Sequence, residues 1–286
     1  MILLCALLVM GGESDQEQQW RDERLKALTS ETGWLNVIGL YWLTEGENKF
    51  GTDQDLPITL PKFSTVPHAG TLTVNGNTAS FTMERAQLAK VNGQETQAGV
   101  IGLGPPPDVL AHNHLRMFLI VRDDKLALRV RDLRAKAVTE FKGIEYYKAK
   151  KSMIVEAEFT PFERVEETWV STVIGTHELM QVPGKLTFEL DEQTLELTPF
   201  IEEDEEGKRL FIMFKDLTSG HETYPSGRYL KAAMPEEGAP VILNFNRAYN
   251  PPCAFTDFAT CPLPPADNWL DVAIEAGEKY MSDSHE

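Results

Sequence analysis

The sequence predicts a mainly β protein: an antiparallel β-sandwich followed by a second antiparallel β-barrel or sandwich unit, with a short N-terminal helix. Three observations lead there. From Trp34 onward apolar residues recur mostly with period two, the side-chain period of a strand that buries one face. The alternating runs are short and regularly separated by turn-forming residues, which suits hairpins and not βαβ crossovers. Finally, 42% apolar and 25% charged residues over 286 positions are those of an ordinary globular chain with one large or two modest cores.

The elements follow in order. Residues 1–10 are apolar, too short a run to span a bilayer and of the length of a signal-peptide core, so 1–12 reads as an export-signal segment. On that reading the protein is periplasmic or secreted, with a cytoplasmic location as the alternative, and any membrane association runs through this segment only. Residues 13–33 read as linker and helix. The polar stretch 13–19 is the linker, and 20–29 is amphipathic, with Trp20, Leu25 and Leu28 on one side and Arg21, Glu23 and Lys26 on the other. Residues 34–43 read as a core strand. Residues 70–74 and 78–83 flank Asn75-Gly76-Asn77 as a hairpin, and 117–121 with 126–130 flank Asp123-Asp124 in the same way. Further strands are expected at 153–159, 168–173, 186–190, 194–197, 210–214 and 241–245.

The prolines at 105–107 cannot donate to a ladder, so a break is expected there, with an N-terminal sandwich at 34–104 and a C-terminal β domain at 112–286. His112 and His114, beside that break, are expected to be solvated. The acidic run 202–206 reads as a solvated hairpin tip, since adjacent carboxylates alternate faces and do not converge on a cation.

Within the first unit, Gly46, Phe50-Gly51, Ile58-Thr59-Leu60-Pro61, Ser64, His68-Ala69 and Val91-Asn92-Gly93 resemble a forkhead-associated domain over about 70 residues. Such domains are β-sandwiches in which a loop Ser and Arg hold phosphothreonine and a His buttresses the loop. Thr52 stands where that Arg belongs, so the resemblance implies the sandwich and not the phosphopeptide grip.

The densest chemistry lies further on. It comprises Asp216, Ser219-Gly220-His221-Glu222-Thr223-Tyr224, Gly227-Arg228-Tyr229-Leu230, the run Asn244-Phe245-Asn246-Arg247-Ala248-Tyr249-Asn250-Pro251-Pro252-Cys253-Ala254-Phe255, and Ala276-Gly277-Glu278. These motifs resemble the domain of unknown function 1684 family over roughly residues 20–280. The family carries no established activity, so the resemblance implies relatives and no reaction.

Three readings of this block stand side by side. Arg228, Arg247, Asn244, Asn246, Tyr224, Tyr249 and Asn250 can form a cluster of forked and planar donors for a small anionic or polyhydroxylated ligand. Alternatively, His221 with Glu222 or Asp216 can supply the general base of a hydrolase, although no Gly-x-Ser-x-Gly elbow accompanies it. In the third, the same groups satisfy the chain's own backbone. Cys253 and Cys261, eight residues apart between prolines, are expected to form a disulfide in an exported protein, whereas in a cytosolic one the same pair reads as two buried thiols or half a metal site.

No metal site or cofactor is expected, since no familiar ligand spacing, phosphate-cradling glycine loop or dinucleotide fingerprint is present. A net charge of −17 argues against nucleic acid as a partner. A small-molecule ligand is the expected partner.

Overall fold

The computed structural model describes residues 13–84, 87–204 and 207–280; the export-signal segment expected at 1–12 and the tip of the acidic hairpin at 205–206 lie outside them. The protein is mainly β, and among the described residues its strands pair antiparallel except for one short parallel pair. Eleven strands form the first unit: β1 (Val37–Trp42), β2 (Gly46–Gly51), β3 (Ile58–Thr59), β4 (Gly70–Asn75), β5 (Thr78–Met83), β6 (Ala89–Val91), β7 (Gln94–Thr96), β8 (Ala98–Gly102), β9 (Leu110–His112), β10 (Leu115–Arg122) and β11 (Lys125–Asp132). They make two sheets, β1-β11-β10-β9-β6-β7 and β3-β2-β4-β5-β8. Alternate residues of both face one core: Phe50, Leu72, Phe81 and Ile101 from one side, Leu115, Met117, Leu128 and Val130 from the other. This is a sandwich built by period-two patterning. Both predicted hairpins are present, and Asp123 and Asp124 adopt φ of 51° and 58°, the mirror-turn geometry that matches strand twist.

The expected boundary moves. Strands β9 to β11 lie beyond the prolines yet belong to the sheet of β1, which β11 pairs directly, and share the first core, so residues 104–108 are a crossing within the first unit. His112 accordingly is not solvated: at 2% exposure, its ring bonds Thr65 Oγ1 at 2.6 Å and the Leu88 carbonyl at 2.8 Å. His114 sits 3.6 Å from Asp132.

The second unit contains β12 (Ile154–Ser171), β13 (His177–Leu190), β14 (Gln193–Leu197), β15 (Phe200–Asp204), β16 (Gly207–Phe214), β17 (Arg228–Ala233) and β18 (Val241–Asn244). The sheets β14-β13-β12-β18 and β15-β16-β17 enclose Leu186, Phe188, Ile212, Phe214, Leu230, Leu243 and Phe245. Two expected strands, 153–159 and 168–173, are halves of β12. Its register with β13 breaks between Pro161 and Glu166, and a bulge there bends one long strand between two core clusters. In β15, Glu202 and Glu203 stand opposite Arg209 and Lys208, so the acidic run begins in a charge-matched ladder and not in the tip.

The N-terminal helix α1 runs Glu13–Thr29, so the expected linker is helical. Its docking face is polar: Glu17, Arg21, Arg24 and Leu28, at i, i+4, i+7 and i+11, turn toward the second unit. Arg21 lies over the Tyr146 ring at 4.3 Å and donates to the Tyr147 carbonyl at 3.1 Å. Arg24 pairs with the fully buried Glu278 at 2.8 Å and donates to the Asn250 carbonyl at 2.8 Å. Among the described residues no helix is long and apolar enough to cross a membrane.

Candidate functional site

After β16 the chain leaves the sheet through a tight polar loop. The Asp216 carboxylate accepts the backbone N–H of Thr218 at 2.7 Å and its hydroxyl at 2.5 Å, an Asx turn. The loop returns at Gly227, where φ is 95° and a Cβ would stand 2.5 Å from the Phe214 carbonyl oxygen, so only glycine fits. The next residue, Arg228, points inward at 1% exposure. Its guanidinium pairs with Asp216 at 2.5 Å, donates to the Ile274 carbonyl at 2.8 Å and to the Ala276 carbonyl, and lies over the Phe214 ring. Nε alone has no partner among the described residues. Arg228 therefore clamps the C-terminal segment to the sheet.

The asparagines work the same way. Asn246 donates to the Lys150 carbonyl and accepts the Lys150 N–H, both at 2.9 Å, imitating a strand partner for that residue. Asn244 accepts from Asn246 and donates to Glu17 at 2.8 Å, and Arg247 Nε donates to the same Glu17 oxygen at 3.0 Å. Asn250 gives its N–H to Glu278 at 2.7 Å and its side-chain amide to the Lys279 carbonyl at 2.9 Å. Tyr249 exchanges backbone bonds with Tyr229 and carries the Arg24 guanidinium over its ring. Tyr224 donates to the Cys253 carbonyl at 3.0 Å. Most of the polar atoms of these residues are turned to the chain itself, while Asn250 Oδ1 is buried without a partner among the described residues and Arg247 stays about one-third exposed. The third reading of the block, backbone satisfaction, describes them.

The proposed catalytic group is not assembled. His221 is exposed and its ring has no partner among the described residues; Asp216 is committed to Arg228. Glu222 accepts Tyr147 Oη and Lys279 Nζ, both at 3.0 Å, and these bonds, Lys279 first, hold its carboxyl below the usual range. Cys253 and Cys261 are neighbours as expected, but as free thiols and not as the expected disulfide. No group of three or more metal-ligating side chains converges among the described residues.

A different cluster emerges where the two units meet. Arg129 and Arg131 lie on the sheet face turned away from the first core, as does Arg122 on the neighbouring strand. Residues 256–261 cover that face. Thr256 Oγ1 donates to the Val37 carbonyl at 2.8 Å, Thr260 Oγ1 accepts Arg122 Nε at 2.9 Å, and the Phe258 carbonyl stands 3.5 Å from Arg129 Nη2. Arg129 is only 5% exposed, lies 5.0 Å over the Trp34 ring, and its Nε has no partner among the described residues. The Nε of Arg131 is likewise buried without a partner. Among the described residues none of the three arginines forms an ion pair with a carboxylate. Burial first, then the like charges of Arg122 and Arg131, bring the Arg129 guanidinium down to about 10.

The family comparison falls on the second unit. The model of a family described as "Protein of unknown function (DUF1684)" matches residues 139–279. An uncharacterised protein of Haloarcula marismortui, solved by solution NMR, is 32% identical, and the match covers 51% of this chain and 80% of that one, with a TM-score of 0.43. This chain belongs to the DUF1684 family. Two FHA-domain structures also match. One is the FhaA FHA domain complexed with an intracellular domain, at 23% identity over 32% of this chain and 86% of that one, TM-score 0.24. The other comes from a study of phosphothreonine-dependent FHA interactions, at 22% identity over 31% and 79%, TM-score 0.23. No curated protein matches the chain.

In this DUF1684 chain the matched stretch contains the clamp residues, whereas Arg122 and Arg129 precede it. Sequence reasoning missed these arginines for a physical reason. Arg129 and Arg131 alternate with Leu128 and Val130, which locally looks like a strand with one wet face. What covers that face arrives more than a hundred residues later.

Proposed function

We propose that this protein binds a small anion, a carboxylate or a phosphate ester, at the Arg122–Arg129–Arg131 seam, and that it does so in the cell envelope. The single observation behind the reading is Arg129: a guanidinium nineteen-twentieths buried, flanked by two more, and given no carboxylate partner among the described residues. A buried charge is costly unless paired, and an arriving anion removes that cost. Guanidinium forks suit carboxylate and phosphate oxygens, and Trp34 supplies a flat wall beside them. The envelope part rests on the apolar run 1–10, and cell fractionation of the expressed full chain tests it.

The binding test is a thermal-shift panel with inorganic phosphate, glycerol phosphate, citrate and chloride. At a hundred times the dissociation constant a ligand adds about 2.7 kcal/mol. The expected result is a rise of several degrees with phosphate or citrate over chloride at equal ionic strength, lost in Arg129→Met. Equal behaviour of all four salts, or a rise retained in Arg129→Met, overturns the reading.

A further inference from the structure

Beside the seam lies a second chemical feature that anion binding does not use. Cys253 sits in a short 3-10 turn, Pro252–Ala254, whose entry Pro251 fixes, and Tyr224 Oη anchors its carbonyl at 3.0 Å. Cys261 is held from the other side. Its carbonyl accepts Val173 N–H at 2.9 Å, and Tyr229 Oη donates to the adjacent Pro262 carbonyl at 2.7 Å. The Cys261 sulfur accepts the Cys253 backbone N–H at 3.1 Å. Two thiols therefore meet in a rigid, proline-bounded loop without being bonded. They are unequal: Cys253 is half-buried, while Cys261 is 4% exposed.

We propose that Cys253 and Cys261 are a redox-active dithiol that reduces small-molecule or peptide disulfides, Cys253 attacking and Cys261 resolving. The Cys253 sulfur, as thiolate, attacks one sulfur of a disulfide R–S–S–R′. The substrate S–S bond breaks, R′S⁻ leaves and takes the proton Cys253 gave up, and a Cys253–S–S–R mixed disulfide forms. Cys261 then loses its proton and attacks the Cys253 sulfur, so that RS⁻ departs, takes up that proton, and the Cys253–Cys261 disulfide remains. Two protein thiols are oxidised and one disulfide is reduced to two thiols.

Three features support the order of attack. Access favours Cys253, and so does the chemistry: the hydrogen bond from Cys261 outweighs burial and lowers the Cys253 thiol below its usual value. Cys261, as donor in that bond and desolvated, is raised. A lowered, reachable thiol and a shielded partner form the arrangement thiol–disulfide exchange requires. The inference stands on the thiols alone and does not depend on the anion site.

The test uses the full chain with Cys5→Ala, incubated with oxidised glutathione and read by intact mass and thiol titration. The parent is expected to lose both thiols with no glutathione attached, and dithiothreitol is expected to restore them. Cys261→Ser is expected to accumulate one glutathione, on Cys253, whereas Cys253→Ser stays unmodified under the same exposure. Should a serine variant fail to fold, timed alkylation of the reduced parent decides, with Cys253 modified at least tenfold faster than Cys261. Thiols inert to oxidised glutathione, a bond resistant to dithiothreitol, or faster modification of Cys261 would overturn the proposal.

Discussion

Replacing Arg228 by Met tests whether the polar block is a clamp. Methionine approximates the stem of the side chain and deletes the guanidinium. Asp216 then keeps its two bonds from Thr218 but loses the one cation paired with it among the described residues, inside a site where both side chains are 0% exposed. The carbonyls of Ile274 and Ala276 lose a charged donor at the same time. Breaking a buried pair from one side costs about 3–5 kcal/mol, mostly because the surviving charge is stranded. For a domain of this size that lowers Tm by roughly 6–20 °C. Urea unfolding followed by tryptophan fluorescence is the assay, read as a drop in midpoint at unchanged slope. The double variant Asp216→Asn with Arg228→Met should recover part of the loss, because no charge is then stranded. A loss under about 1 kcal/mol for Arg228→Met refutes the clamp, since surface pairs alone are worth so little.

Other outcomes follow from the same geometry. Asn246→Ala removes both bonds to the Lys150 backbone and should cost about 1–3 kcal/mol, with faster amide exchange at Lys150 as the local readout. Glu278→Gln weakens the tie to Arg24, so limited proteolysis should cut within α1 at a protease dose the parent resists. Alkylation of Cys253 should reach half its maximal rate below pH 9.0, the ordinary thiol value, because its thiolate is stabilised; Cys261→Ala removes the main cause and should move the midpoint upward. His221→Ala should leave stability within about 0.5 kcal/mol, as expected for an exposed side chain without partners.

Much of the fold was legible because period-two patterning and turn chemistry are local. Asp123-Asp124 and Asn75-Gly76 mark their hairpins with residues that tolerate positive φ, and the strands around them follow. Less legible was anything whose partner is remote. Helix α1 hid its docking face because that face is charged, its partners being Glu278, Tyr146 and Arg247. The strand β17 was missed because it begins with an arginine that looks like a ligand-binding group and is a buried clamp. The residues of the 216–250 block were legible as a polar set in the sequence. Their direction was not, since whether an amide faces solvent or a backbone such as Lys150 depends on a segment nearly a hundred residues away. The arginine seam failed to register for the converse reason: an alternating Arg on a strand reads as wet until something covers it.

The contrast between a closed guanidinium at Arg228 and an open one at Arg129 is the centre of the account, and one comparison tests it most directly. Unfolding free energies of Arg129→Met and the parent are measured first in low-salt buffer free of multivalent anions, then in saturating phosphate. Burial and the neighbouring like charges bring Arg129 down to about 10, so relieving them is worth about 3 kcal/mol. The variant should therefore equal or exceed the parent without phosphate and fall below it with phosphate. An Arg129→Met protein that is several kcal/mol less stable in both buffers would mean that Arg129, too, is closed by the chain itself.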